Sequence, residues 1–356
     1  MGRLLCVLMC LALSRARALG SRHCSVVTWN LLAPCFAPPS KYPWAPPEAL
    51  DWLHRRGRIV SQLAALDADV VCLQEVQRPL WDELAADFSS LGYDTILQDS
   101  SSNKAKHPIA NAVLLRRGHV ELVRAESRSR ALITVLRAAG DTAADSEQES
   151  LYLANVHLEA GADKAAMRQS QLRSLLKRLE FQRSVDVAKA CGRPRALSPT
   201  ADVTGAPIVI AGDFNCDRRS PLHTLLAEGA LPTEVPAPGP RVRSALLPLT
   251  DAYAANPPPW GPPLRSSYRN GRILDFIWTS PTVSVLRTMP VCNAAGSSQP
   301  HRIPCRDLPS DHMPIGALLS WPGAPLDGSG GDRPAWQQLC VENVMRRGSD
   351  QNWVSG

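Results

Sequence analysis

The first 47 residues contain no acidic side chain, and nowhere in the 356-residue chain do two cysteines stand in a CxxC pair. The Gly-rich phosphate loop GxxxxGK[ST], the HExxH zinc pair and the GxSxG nucleophile elbow are also missing. These absences remove the motif-based readings of a P-loop NTPase, a zincin and an α/β-hydrolase serine enzyme. The histidines are too dispersed for their spacing to suggest zinc. No internal repeat is present. No N-x-[ST] sequon occurs, which withdraws one support for secretion without refuting it. Proline, by contrast, is abundant: 31 residues point to many fixed loops rather than a helical bundle. With 44% hydrophobic and 20% charged residues the chain reads as an ordinary globular protein able to bury a large core.

The acid-free opening reads as a processing segment over residues 1–20. Arg3 supplies a positive end, Leu4 to Leu13 is a short apolar stretch, and Ala16-Arg17-Ala18 has the small-x-small form of a cleavage site. The stretch is too short to span a bilayer comfortably, and no transmembrane segment is expected in the mature chain. The expectation is secretion or an endomembrane lumen. Arg15, Arg17 and Arg22 also suit a mitochondrial or plastid transit peptide, and an uncleaved start is a third reading. Cleavage after Ala18 removes Arg3, Arg15 and Arg17 and takes the net charge from +6 to +3, a weak steering field that does not itself indicate nucleic acid. Eight cysteines would remain. They permit disulfides outside a reducing cytosol without requiring them, and Cys72, inside Val70-Val71-Cys72-Leu73, reads as a buried thiol.

From Cys24 the pattern turns strand-like: Val26, Val27 and Trp29 lead to Asn30, and a proline-rich loop follows to Pro47. Helical spacing runs over 48–66, then comes the apolar strand 69–73 ending at Gln74-Glu75. A helix over 79–91 precedes strands at 93–98, 109–115, 131–137 and 151–155. A basic amphipathic helix covers 164–183, with 184–206 a surface loop. Strands return at 207–211, 273–278, 283–288 and 315–319, around a loop-rich stretch at 231–266, and a last helix is expected near 335–346. Strand pairs with short links, interspersed with few long helices, predict a layered α/β domain of mixed or antiparallel sheets with helices on the outer faces. The catalytic domain is expected over 24–322, with 323–356 a C-terminal extension.

Chemistry-bearing residues recur where apolar strands end. Asp213 and Asn215, in Gly212-Asp213-Phe214-Asn215, stand two apart and can face one cleft; a Gly-Asp turn with a capping Asn is the structural alternative. Glu75 ends a buried strand as an apt hard ligand for magnesium, and Asn30 can join it through its amide oxygen; each could equally be a solvated strand end or a turn cap. His157 follows an apolar strand and can donate to a phosphate oxygen. Asp275 lies inside Ile273-Leu-Asp-Phe-Ile-Trp278, where an unpaired acid is expensive. Pairing it with His312, of Asp311-His312, would fix the imidazole tautomer and stabilise its protonated form.

Taken in order, the blocks TWN (28–30), CLQEV (72–76), NVH (155–157), GDFN (212–215), LDFIW (274–278) and SDHMPI (310–315) resemble the endonuclease/exonuclease/phosphatase superfamily. WNLLAP (29–34), LDWLHRRGRI (50–59), ADVVCLQEV (68–76) and NVHLEAG (155–161), followed by Gln171 and Leu172, are most similar to its CCR4-type deadenylase branch, with nocturnin-like and Angel-like members. The branch's usual GCA-like stretch is represented only by Ile109-Ala-Asn-Ala-Val113. The resemblance implies a four-layer α/β sandwich of two facing, mostly antiparallel sheets, with the active site at one edge. It implies Mg2+, with Mn2+ as a substitute, held by Glu75 with Asn30. Asp311 would act at the same end of the site, through a second metal. Asp213 would orient or deprotonate water, Asn215 would hold the scissile phosphate, and His157 and His312 would contact its oxygens, with Asp275 supporting His312. The function implied is a 3′-directed exoribonuclease resembling a poly(A) deadenylase, with RNA or another phosphodiester as partner. The alternatives are a secreted DNase-like or sphingomyelinase-like phosphodiesterase and a non-enzymatic binding protein. Lys104, Lys106, His107, Arg168, Arg173, Lys177, Arg178 and Arg183 could track a nucleic-acid backbone, and Trp44, Trp260 and Tyr268 could stack bases; solvated charge and aromatics packed into loops are the bland readings.

Overall fold

Strand β1 (Cys24–Asn30) is buried at every residue, and so are β7 (Leu151–His157) and β8 (Ile208–Asp213). Strands buried so continuously require that both faces be covered. In this computed structural model, which describes residues 23–99, 108–139, 150–190, 205–231, 241–257, 272–289, 302–322 and 324, they are covered on both.

The other strands are β2 (Val70–Gln77), β3 (Tyr93–Leu97), β4 (Ile109–Arg116), β5 (Val120–Ser127), β6 (Ala131–Ala138), β9 (Thr250–Asp251), β10 (Asp275–Thr279), β11 (Ser284–Thr288) and β12 (Ile315–Ser320). They build two six-stranded sheets, ordered β11-β12-β1-β2-β4-β3 and β5-β6-β7-β8-β10-β9. Each sheet has one parallel pair near its centre, β1/β2 and β7/β8, and is otherwise antiparallel.

Side chains alternate faces along a strand, so parity sorts them between two layers. Val26, Val70, Cys72, Val113, Leu153, Val209 and Ile277 fill the space between the sheets. Their neighbours Val27, Trp29, Val71 and Leu73 turn outward against Ile59 and Leu63 of helix α1 (Trp52–Leu66) and Leu84 and Phe88 of α2 (Trp81–Ser90). On the far side Ile208, Ile210 and Tyr152 meet Leu172, Leu176 and Leu179 of α3 (Ala165–Ala190) and Leu222 and Leu225 of α4 (Pro221–Glu228). The result is the expected four-layer α/β sandwich.

Helix α4 and the short strand β9 fall where the sequence leads one to expect no element, and β5 and the end of α3 also escape the pattern. Edge strand β5 carries Glu121, Arg124 and Glu126 and lacks a clean apolar alternation. Helix α3 continues to Ala190, past the expected stop at 183, because Asp186 holds its last turns to the sheet. Its carboxylate accepts from Arg124 Nη1 at 3.0 Å and from the Tyr152 hydroxyl. The leader, residues 325–356 with the helix expected near 335–346, Lys104, Lys106, His107, Trp260 and Tyr268 lie outside the described residues. Core packing reaches Trp321 and Ala324. Among the described residues no helix is long and apolar enough to cross a membrane, and Cys35, Cys72, Cys216 and Cys305 are free thiols.

Candidate active site

The same parity that fills the inter-sheet core delivers the site. On β1, Cys24, Val26 and Thr28 face the other sheet, and Asn30 is next in that row; on β7 the row is Leu151, Leu153, Asn155 and His157. On β8 it is Val209, Ala211 and Asp213, and on β10 Ile277 and Asp275. Each row turns from apolar to polar as it reaches one edge of the sandwich. Register then lines up three of its ends, since Asp213 pairs with His157 on one side and with Asp275 on the other.

Glu75 is out of parity with Gln74 and would face α1. A bulge corrects this: Leu73 opposes Ala112 and Val76 opposes Ala110, so Gln74 and Glu75 together oppose Asn111, and Glu75 takes φ of 54°. Leu32 and Asn215, also left-handed at 56° and 50°, flank the same edge. Strain of this kind, on the order of 1–3 kcal/mol for a non-glycine residue, clusters where side-chain aim matters more than stability.

All eight residues singled out in the sequence meet here. Asn30 Nδ2 donates to Glu75 Oε1 and to Asp213 Oδ2, both at 3.1 Å. Its Oδ1 accepts from Leu32 N at 3.0 Å, and because a backbone N–H can only donate, the amide meets the carboxylates with its donor end. A metal-ligand role for Asn30 would require Oδ1 to turn from Leu32. Glu75 Oε2 accepts from Ala33 N at 3.0 Å. Asp213 Oδ2 lies 3.8 Å from both His157 Nε2 and His312 Nε2, and its Oδ1 accepts from Asn215 N at 2.8 Å. Asn215 Nδ2 donates to Leu158 O at 2.9 Å, leaving one amide hydrogen for a ligand. His312 Nδ1 and Asp275 Oδ2 form the expected pair at 2.8 Å. Asp311 accepts from Tyr42 OH at 2.8 Å.

Burial and neighbours set the charges. Burial raises the Asp213 and Glu75 carboxyls, and Asp311 raises Glu75 further by like-charge repulsion. Burial also lowers His157, which is therefore neutral near pH 7. Burial opposes the charge of His312 too, but Asp275, Asp213 and the hydrogen bond outweigh it, so its pKa stands well above the ordinary value. Ligand atoms of Asp213, Asp275 and His312 all lie within 4.8 Å of one another, a cluster capable of holding a metal ion. Buried, mutually repelling carboxylates with hard oxygen donors fit a divalent cation of the magnesium kind.

The sequence reading missed the frame that holds these groups. Arg55, fully buried, donates from Nε to Pro309 O and from Nη2 to Leu31 O, both at 2.6 Å, and from Nη2 to Leu32 O. It thereby ties the segment after Asn30 to the segment before His312, and burial lowers its pKa to about 10. A signal existed: Arg55 continues the buried stripe Ile59, Leu63 and Leu66 at helical spacing. Ser310 Oγ adds a second tie, donating to Asn30 O at 2.6 Å.

The basic helix reads differently in three dimensions. Arg168 is buried and donates to Glu159 O and Gly161 O, Arg178 pairs with Glu126, and Arg183 lies against the Tyr152 ring. These three are structural. Trp44 packs edge-on against Tyr42 rather than standing free for a base.

Residues 27–173 and 195–312 match the model of the endonuclease/exonuclease/phosphatase family. The chain belongs to that family. Among its members, Nocturnin of Xenopus laevis is 27% identical over 304 residues, covering 82% of this chain and 70% of its own length. Carbon catabolite repressor protein 4 homolog 1 of Arabidopsis thaliana is 26% identical over 253 residues, 61% of this chain and 39% of the relative. The chain thus spans about two fifths of that longer protein's length. A crystal structure of ANGEL2, a 2′,3′-cyclic phosphatase, in complex with adenosine-2′,3′-vanadate superposes with a TM-score of 0.62 at 19% identity, covering 85% of this chain and 96% of that one. Family membership and a cluster able to hold a metal support a metal-dependent hydrolase, and the resemblance lies with the CCR4, nocturnin and Angel branch.

Proposed function

We propose that this protein is a magnesium-dependent phosphodiesterase that shortens RNA from its 3′ end, as the CCR4-type resemblance implies. The observation that carries the reading is the placing of one buried carboxylate oxygen, Asp213 Oδ2, 3.8 Å from two buried imidazoles, His157 and His312.

Asp213, with a raised pKa, is a stronger base than an ordinary carboxylate and accepts a proton from the attacking water. The water oxygen bonds to phosphorus on the face opposite the leaving ribose oxygen, whose P–O bond breaks as the new one forms and which takes a proton from solvent to become the new 3′ hydroxyl. Protonated His312, held by Asp275, donates to a non-bridging oxygen and offsets the charge that builds there. Neutral His157 donates a weaker hydrogen bond from the other side, and the remaining Asn215 amide hydrogen orients the phosphate. Glu75 and Asp311 would hold the cation, while Asp213, Asp275 and His312, though close enough together to hold one, are the proton-handling groups in this reading. When bound, magnesium neutralises phosphate charge and stabilises the leaving oxygen. Direct water attack suits the site because no activated serine or cysteine stands among these residues; the Cys35 thiol is raised by burial and by Glu75.

The test is turnover by purified protein with magnesium on labelled poly(A), mixed RNA, RNA ending in a 2′,3′-cyclic phosphate, single- and double-stranded DNA, and sphingomyelin. Stepwise loss of 3′ nucleotides from poly(A) is the expected result; cleavage of DNA or sphingomyelin alone would overturn it. Glu75→Gln should lower kcat by roughly 10²–10⁴-fold with the fold intact, and unchanged turnover would remove Glu75 from the metal site.

A further inference from the structure

A shallow hollow, open to solvent, adjoins His157 and is lined by Arg78, Arg130, Gln98, Asn111 and Ser129 among others. Its polar floor is already satisfied: Gln98 Oε1 accepts from Asn111 N at 3.0 Å, and Asn111 Nδ2 donates to Asn155 O at 3.2 Å. Two guanidiniums are the charged groups lining it.

Arg78 follows β2 directly, in the turn Arg78–Leu80, three residues after the bulge that aims Glu75. Its backbone N–H is fastened to Pro108 O at 2.8 Å. The side chain is half-buried, and burial lowers its pKa while Asp99 acts in the opposite direction. Among the described residues no carboxylate forms an ion pair with it. A partly desolvated guanidinium without an ion pair carries five donors in a planar fork that suits a phosphate.

Arg130 sits in the turn between β5 and β6. Its Nη2 pairs with Glu159, and its carbonyl accepts from His157 N at 3.0 Å, so the turn is held to the strand that carries the catalytic imidazole. Its charge reaches His157 and contributes to lowering the proton affinity of that ring. His157 is common to both places: it lines the hollow and lies 3.8 Å from Asp213.

We propose that this hollow is a second anion subsite, in which Arg78, assisted by Arg130, takes a phosphate group adjoining the scissile one. The substrate is then a polyanion with at least two phosphate groups, as in an oligonucleotide. This deepens the phosphodiesterase reading and rests on it for the identity of the neighbouring site. It also disfavours a substrate such as sphingomyelin, whose cationic choline would meet the two arginines.

The experiment reads binding, not turnover. Adenosine 3′,5′-bisphosphate and adenosine 5′-monophosphate are titrated calorimetrically into the full chain with magnesium. The bisphosphate should bind about tenfold tighter or better, the scale of one charge-assisted bidentate contact. In Arg78→Gln the two ligands should bind within about twofold of each other, and Arg78→Lys, which keeps the charge but loses the fork, should fall between. Equal affinities in the unaltered chain, or a preference that survives Arg78→Gln, would overturn the subsite. Because Arg78 makes no ion pair with the described residues, its variants should keep the unfolding temperature, which is checked alongside. The two readings fail separately: an Arg78-dependent preference in a chain that cleaves no phosphodiester sinks the catalytic reading alone, and RNA cleavage without the preference sinks the subsite alone.

Discussion

His157 and His312 stand at equal distance from one oxygen of Asp213, yet their pKa values move in opposite directions. Both rings are buried, which disfavours charge on each. The difference lies in Asp275, which faces His312 at 2.8 Å, whereas the Arg130 charge bears on His157. Asp275→Asn removes the partner charge and leaves burial, the largest single influence on His312, to act with less opposition. The His312 pKa should drop from well above the ordinary histidine value toward or below it, and kcat at neutral pH should fall by roughly 10²–10⁴-fold. Imidazole proton resonances followed through a pH titration read the first effect. A His312 titration unmoved by the substitution would separate Asp275 from the role given to it here.

At the scale of elements, the parallel pair β7/β8 depends on a single missing side chain. Gly212 has φ of 144°, and a Cβ built there would lie 2.0 Å from Val156 O and 2.8 Å from Val156 N. These are backbone atoms of the neighbouring strand and cannot swing aside, so Gly212→Ala must push β8 from β7 or twist it. Asp213 is the next residue, paired in register with His157. We expect a loss of at least about 2 kcal/mol in chemical denaturation, together with a fall in kcat larger than that of a distant variant of equal instability. The same elements explain what could be read beforehand. Strands buried on both faces announce themselves as unbroken apolar runs, so β1, β2, β7, β8 and β10, and the polar residues that end them, were legible. The edge strand β5 hides among charges, and the close of α3 depends on Asp186 meeting Arg124 and Tyr152 from distant positions. Glu75 reads as a strand-end acid in the sequence, whereas β2 runs on to Gln77, and the bulge that aims Glu75 is a matter of register with β4. Arg55 is hard to read from sequence because a charged residue on a helix is usually solvated, and only the fold reveals the three carbonyls that it joins.

For the whole molecule, the question is what keeps two sheets aligned at the mouth where each contributes half of the site. Apolar packing between them is non-directional and does not fix one sheet's register against the other. Directionality comes from a polar layer just inside the catalytic residues. Asn155, from the second sheet, donates Nδ2 to Leu73 O at 2.9 Å and to Ala112 O at 2.8 Å in the first, and its Oδ1 accepts from Gln74 Nε2 at 2.7 Å. Gln74 also donates to Thr28 Oγ1 at 2.9 Å. Asn155 is fully buried, so Asn155→Ala would take the side-chain donor from two carbonyls and one acceptor from Gln74, which keeps Thr28, where water has little room. Each stranded group costs about 1–3 kcal/mol, so a loss of roughly 3 kcal/mol or more is expected, measured by denaturant unfolding. Asn155→Asp tests direction separately from size, since its carboxylate can accept from Gln74 but cannot donate to the two carbonyls. If the layer aligns the sheets, both variants should show faster amide exchange in β2 and β4 near Leu73 and Ala112, and a fall in kcat, at temperatures where the protein remains folded. Equal instability with kcat preserved would mean that apolar packing alone sets the alignment of the two halves.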